Sequence, residues 1–158
     1  MPPARPTTRI LFVCLGNICR SPAAEAILRK LVADAGREGE FEIDSAGTSG
    51  HNAGLPPDPR MAASLAKRGV TMSGTARQLR LADLEKFDLI VAMDESNDAE
   101  VRRLDAGAAA QSKIRPFMSF CRHHDDPRVP DPYYGGQSGF DHVIRLLDDG
   151  CQGLLESC

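Results

Sequence analysis

The stretch "ILFVCLGNICRSP", residues 10–22, decides the reading of this chain. Ile10 to Val13 form a short, continuous apolar run that is β-branched in part, the pattern of a strand buried on both faces. The run ends in Cys14 and breaks at Gly16-Asn17. Ser21-Pro22 then opens "SPAAEAILRKLVADAG" (21–36), where Ala24, Ile27, Leu28, Leu31, Val32 and Ala35 fall on one helical face. Ser21 suits the N-cap, Pro22 the first helical position and Gly36 the stop. The stretch therefore predicts strand, tight loop and helix. It sets a thiol at the mouth of a buried strand and a guanidinium, Arg20, where the helix begins.

The same alternation continues outward. "RILFVC" (9–14) and "FEIDSA" (41–46) read as strands, with "PRMAASLAKRG" (59–69) as a short helix closed by Gly69. "FDLIVAM" (87–93) is a second continuous apolar strand, and "DESNDAEVRRLDAG" (94–107) offers caps and then a helix. "KIRPFM" (113–118) is a weaker strand that Pro116 places near an edge. "GTSGHNAGLPPDP" (47–59) and "CRHHDDPRVPDPYYGGQS" (121–138) are loops. From Phe140 on, Val143, Ile144, Leu147, Cys151 and Leu154 share one helical face. This order implies βαβ crossovers: an α/β chain with a doubly wound parallel sheet of four strands and helices on both faces. In such sheets ligands bind beyond the carboxyl ends of the strands, which is where the segment after Cys14 falls.

The chain has 158 residues, a net charge of −3, 42% hydrophobic and 26% charged residues. These values fit a single domain, expected over 9–158 after a flexible segment 1–8, and favour neither a nucleic-acid nor a membrane surface. "MPPARPTTR" lacks the apolar core of a signal peptide, and no later run approaches the ~18 apolar residues of a membrane span. Five cysteines without close pairs argue against a disulfide scaffold, so the expected compartment is the cytoplasm.

A loop between strand and helix points its amides inward, and the helix N-terminus adds partial positive charge. Arg20 adds a planar fork that matches two oxygens of a phosphate-like anion. Gly16 would permit close backbone approach or a positive φ, and Asn17 tolerates the left-handed region. The same field would favour the thiolate of Cys14. An oxyanion receptor with a thiolate at its floor is a nucleophile aimed at phosphorus. The Cys-x5-Arg spacing alone is weak, because cysteine also ends buried strands as a small filler. The strand before it, Gly-Asn within and Ser-Pro after it give the spacing its meaning.

"VCLGNICRSPAAEA" (13–26) closely resembles the catalytic loop of the low-molecular-weight protein tyrosine phosphatases. "DSAGTSGHNAGLPPDPR" (44–60), "TARQL" (75–79), "DLIVAMDESN" (88–97) and "VPDPYYGG" (129–136) resemble that family's other blocks, in its order. The resemblance implies that Cys14 attacks phosphorus to form a phosphocysteine. Arg20 would clamp two equatorial oxygens, and the amides of residues 15–20, from Leu15 through Gly16, Asn17, Ile18 and Cys19, would hold the rest. Ser21 would hydrogen-bond the Cys14 sulfur, and Asn17 would shape the loop with Ser45 in support. Asp131 would be general acid, then general base for water. The other reading of Asp131, as a turn aspartate between Pro130 and Pro132, stands beside this one. Tyr133 and Tyr134 would wall the pocket around an aromatic ring, with Leu15 at floor or wall. The implied substrates are tyrosine-phosphorylated proteins, with phosphate or similar oxyanions as competitive ligands. Neither metal nor cofactor, nucleic acid nor membrane insertion is implied.

The chain departs from the family pattern at two places. His51 stands where many members carry a large aromatic residue. Gly74 stands where many carry a histidine that joins Ser45 and the loop asparagine, so those two residues need another partner here. Cys19 has two readings, a redox partner for the nucleophile or a small side chain packed behind the loop. "HHDD" (123–126) reads as a solvated loop rather than a metal site. An arsenate reductase of the same fold would need relay thiols, and none lies between Cys19 and Cys121. A non-catalytic phosphate binder would not need Cys14, Arg20 and Asp131 together. A dithiol redox protein would need neither Arg20 nor Asp131.

Overall fold

The computed structural model describes residues 6–133 and 136–158. Four parallel strands form one sheet: β1 (Thr8–Cys14), β2 (Phe41–Gly47), β3 (Leu89–Ala92) and β4 (Ile114–Pro116), in the order β2-β1-β3-β4. β1 starts at Thr8, opposite Phe41 and one residue before the expected strand. β4 is an edge, as Pro116 requires of a residue without an N–H to share. The helices are α1 (Arg20–Asp34), α2 (Pro59–Ala66), α3 (Leu81–Lys86), α4 (Glu95–Leu104) and α5 (Gln137–Ser157). α3 was not legible in the sequence. Its single turn and a half is too short for a periodic apolar face, and only Asp83 and Leu84 are buried.

The alternation of β1 divides the core in two. Ile10, Phe12 and Cys14 point to the face covered by α1, α2 and α5, and they join a cluster that includes Leu28, Met61, Phe117, Phe140 and Leu147. Leu11 and Val13 point to the other face, against Leu84, Phe87, Val101 and Ile114. Both faces are covered from Ile10 on, so β1 is apolar from Ile10 to Cys14. Each fully buried Phe or Leu contributes about 1.5–3 kcal/mol, and Phe12 and Phe117 meet at 6.1 Å between centroids.

α5 carries two glycines for steric reasons. A Cβ at Gly150 would lie 2.2 Å from the Phe117 ring, and one at Gly153 would lie 1.9 Å from the Phe120 carbonyl oxygen. The helix can approach the Phe117–Phe120 turn only because both positions are bare.

The sheet order reverses direction on either side of β1. The loop after β1 therefore opens at the switch point, where parallel sheets present their ligand crevices. α1 begins there at Arg20 rather than Ser21, and its N-cap, Cys19, makes no side-chain capping bond. The expected capping role of Ser21 is corrected: its hydroxyl faces Cys14 and Asn17 instead. Gly36 does end the helix, with φ +70°.

Candidate active site

Cys14 is the last residue of β1 and is almost fully buried. Its Sγ lies 2.9 Å from Ser21 Oγ. Between them the chain turns through Asn17, which adopts φ +56°. The left-handed position thus falls to Asn17 and not to Gly16. At Gly16 the neighbour is a side-chain end: a Cβ there would sit 2.5 Å from Asn52 Nδ2, which would have to swing aside. Gly47, at the end of β2, is bare because a Cβ there would lie 2.7 Å from the Leu15 carbonyl oxygen.

The Asn17 side chain is fully engaged. Nδ2 donates to Ser21 Oγ at 2.8 Å and Ser45 Oγ at 3.0 Å, and Oδ1 accepts from the Arg77 amide at 2.9 Å. Ser45 Oγ in turn donates to Glu25 Oε1 at 2.6 Å. With both Asn17 amide hydrogens placed on hydroxyls, the Ser21 proton is left for Cys14, since the Ala46 carbonyl is farther at 3.5 Å. Glu25 and the Arg77 amide are the partners that the absence of a side chain at Gly74 left open. In the sequence Glu25 has the pattern of an ordinary helical residue, although it lies four residues after Ser21, on the same helix face. Burial pushes the Glu25 carboxyl up, against the hydrogen bond from Ser45 and the charge of Arg29.

Arg20 is 3% exposed. Nη1 donates to Asp94 Oδ2 at 2.7 Å and to the Val129 carbonyl at 3.0 Å, while Nη2 lies 3.7 Å from Asp131 Oδ2. Burial works against its charge, but Cys14 and Asp94 outweigh it and hold the guanidinium protonated. Asp94 was legible only as a helix cap. It does cap α4, through Oδ1 and the Asn97 amide, and its other oxygen fixes the plane of Arg20.

Asp131 combines the geometry of both readings. Oδ1 accepts from the Tyr133 amide at 3.0 Å, the bond of a turn aspartate, and Oδ2 is the oxygen facing Arg20. A pocket of about 450 Å³ opens here, lined by Cys14, Leu15, Gly16, Asn17, Ile18, Cys19, Arg20, Ser49, His51, Asn52, Asp131 and Tyr133. Leu15 and Tyr133 are exposed apolar side chains at its mouth. Ser21 and Ser45 lie behind it, and Ser49 and Asn52 were not anticipated. Tyr134 lies outside the described residues. Burial, then the Asp58 carboxylate, pushes the Cys19 thiol far up, so it sits as a packed neutral group in this conformation. The "HHDD" loop forms two His–Asp contacts, His124 with Asp149 and His142 with Asp126, both at 2.8 Å.

A thiol at a strand end, beside a buried arginine and a helix N-terminus, is an arrangement that can receive a tetrahedral oxyanion and offer it a nucleophile. The family profile described as low molecular weight phosphotyrosine protein phosphatase matches residues 9–158. Bacillus subtilis YfkJ, a low molecular weight protein-tyrosine-phosphatase, is 44% identical over 149 residues, 94% of each chain. The human low molecular weight phosphotyrosine protein phosphatase is 41% identical over 155 residues, 95% of each chain. The protein tyrosine phosphatase of Entamoeba histolytica superposes with a TM-score of 0.92 at 39% identity, over 96% of each chain. The chain belongs to the low molecular weight phosphotyrosine protein phosphatase family, and its class is phosphoric monoester hydrolase. Among the described residues no helix is long and apolar enough to cross a membrane.

Proposed function

We propose that this protein hydrolyses tyrosine-phosphorylated proteins and small aryl phosphates through a phosphocysteine on Cys14. The observation that carries the reading is the convergence of three groups on one pocket: Cys14 with Ser21 Oγ at 2.9 Å, the buried Arg20 fork, and Asp131 beside that fork. The Cys14 thiolate attacks phosphorus in line, forming the P–S bond as the P–O bond to the aryl oxygen breaks. Asp131 gives its proton to the departing oxygen. Arg20 and the loop amides hold the three equatorial oxygens. Asp131 then takes a proton from water, which attacks phosphorus and breaks the P–S bond. Phosphate leaves and the thiolate is restored. Ser21 supplies a hydrogen bond to the sulfur whenever it is anionic, and Asn17 and Glu25 fix the direction of that bond. Inorganic phosphate, which fits the same receptor, competes with substrate.

Hydrolysis of p-nitrophenyl phosphate in the presence of EDTA tests this, with Cys14→Ser as control. The expected result is EDTA-insensitive turnover that Cys14→Ser abolishes while phosphate binding persists. Near-wild-type turnover by the purified variant would overturn the mechanism.

A further inference from the structure

We infer that Arg60 is a positioning residue for the aromatic wall of the pocket, tying Tyr133 to the catalytic loop through Asp58. The inference rests on the phosphatase reading above and adds a residue that the reading does not use.

Asp58 caps α2, its Oδ1 accepting from the amides of Arg60 and Met61 at 2.8 and 3.4 Å. A cap needs one oxygen and no charge, and serine or asparagine would serve. Asp58 does two further things. Its own amide donates to the Ile18 carbonyl, inside the catalytic loop, at 2.7 Å. Its carboxylate, 5% exposed, receives Arg60 Nε at 3.3 Å and Nη2 at 3.0 Å as a fork on two oxygens. The guanidinium so fixed lies 5.1 Å from the Tyr133 ring centroid and 4.8 Å from that of Phe140. A planar cation set near two rings and oriented by a bidentate carboxylate has little freedom left. Tyr133 leads on to the acid, because its amide is the donor to Asp131 Oδ1.

A line of contacts therefore runs from Ile18 through Asp58, Arg60 and Tyr133 to Asp131. Its anchored end is the loop that would hold the phosphoryl group. Its other end is the segment that would hold the aryl ring and the proton donor. Arg60 does not line the pocket, so it acts through a neighbour, Tyr133 on one side or Asp58 and the loop on the other, and the inhibition constant of phosphate tells the two routes apart. This separates two parts of substrate recognition. The phosphoryl group is read by the loop and Arg20, whereas the ring is read by a wall whose position Arg60 sets.

The test is steady-state kinetics of wild type, Arg60→Met, Arg60→Lys, Tyr133→Leu and the Arg60→Met/Tyr133→Leu double variant, on phosphotyrosine, with inorganic phosphate as competitive inhibitor. An exposed cation–ring contact predicts a rise of about two- to fivefold in KM for Arg60→Met. The inhibition constant of inorganic phosphate should not change. Arg60→Lys keeps the charge and loses the fork, so it should fall between wild type and Arg60→Met. If Arg60 acts through Tyr133, the double variant should be no worse than Tyr133→Leu alone. A wild-type KM in Arg60→Met, equal weakening of phosphotyrosine and phosphate, or full additivity in the double variant would each overturn the inference. Should Arg60→Met fail to fold, Arg60→Lys decides by the same two constants. A wild type that hydrolyses no aryl phosphate overturns the reading and the inference with it, whereas an active wild type leaves the inference to the variants.

Discussion

The loop at 14–20 and the segment at 121–133 meet at Arg20, and they are held in opposite ways. The first is suspended between β1 and α1, with Cys14, Asn17, Cys19, Arg20 and Ser21 buried and with the Asn17 amide group spending every donor and acceptor on fixed partners. The second is largely polar and exposed, and it is pinned at points. Asp149 of α5 accepts from the amides of Arg122 and His123 and from His124. The Val129 amide donates to the Met93 carbonyl, and its carbonyl accepts from Arg20. Asp131 then stands 43% exposed, between the pin at Val129 and the Tyr133 ring beside Arg60. The difference fits the division of labour proposed above. A receptor for a transition state gains from rigidity before the substrate arrives. A proton donor must meet a leaving group of varied size, and a segment held at points can serve it.

Substitutions can break this contrast from either side. Arg20→Lys removes the two-oxygen fork from the rigid side and leaves a point charge beside Asp94. The expected loss in kcat/KM on p-nitrophenyl phosphate is about 10²–10³-fold, the range for one transition-state donor. A loss under tenfold would show that Arg20 does not clamp the phosphoryl group.

Asp131→Asn acts on the other side. Asparagine can keep the turn bond to the Tyr133 amide but cannot protonate the departing oxygen. A loss of about 10²-fold is expected on phosphotyrosine, the lower end for a general acid. The loss on p-nitrophenyl phosphate should be smaller, because p-nitrophenolate leaves without much help. Equal losses on the two substrates would assign Asp131 to the turn alone.

The smallest effect on turnover is expected from the pin farthest from the pocket. Burial works against the charge of Asp149, but the bonds from the Arg122 amide, His124 and the His123 amide hold its carboxyl down at about 2. A carboxyl lowered from about 3.9 contributes roughly 2 kcal/mol above the unfolded value. That contribution should fade as pH falls from about 4 toward 2. Asp149→Asn should therefore lower stability in urea melts at pH 7 by about that amount and flatten the loss between pH 4 and 2. Its kcat/KM at pH 7 should stay within a fewfold of wild type. An unchanged melt would show that Asp149 does not pin this segment.

What the sequence could show follows from range. The strand of β1, the helix stop at Gly36 and the edge position of Pro116 are local, and each was legible from a few neighbouring residues. Cys14 and Arg20 are legible from the strand end, the Gly-Asn turn and the Ser-Pro helix start around them, whereas only the resemblance of its block to a known family separates Asp131 from an ordinary turn aspartate. Glu25, Asp94 and Arg77 were missed as site-building residues because each acts on a residue brought near only by the fold. Asp94 is 74 positions from Arg20, and Arg77 is 60 from Asn17. The bare α5 positions at Gly150 and Gly153 are of the same kind, since no local pattern announces that Phe117 and Phe120 will press against them. Ser21 shows the converse error. Ser before Pro at a helix start is a sound local signal for a cap, but the thiol seven positions earlier in the chain claims the hydroxyl instead.

The central claim is that a thiolate at Cys14, held by Ser21 and facing Arg20, takes the phosphoryl group from the substrate. Acid quenching of wild type during turnover of p-nitrophenyl phosphate, followed by intact-mass and peptide mass spectrometry, tests it directly. One added phosphoryl group on the peptide bearing Cys14 is predicted, absent from Cys14→Ser and from enzyme quenched without substrate. Full turnover with no phosphorylated peptide at any quench time, or with the phosphoryl group on another residue, would contradict it.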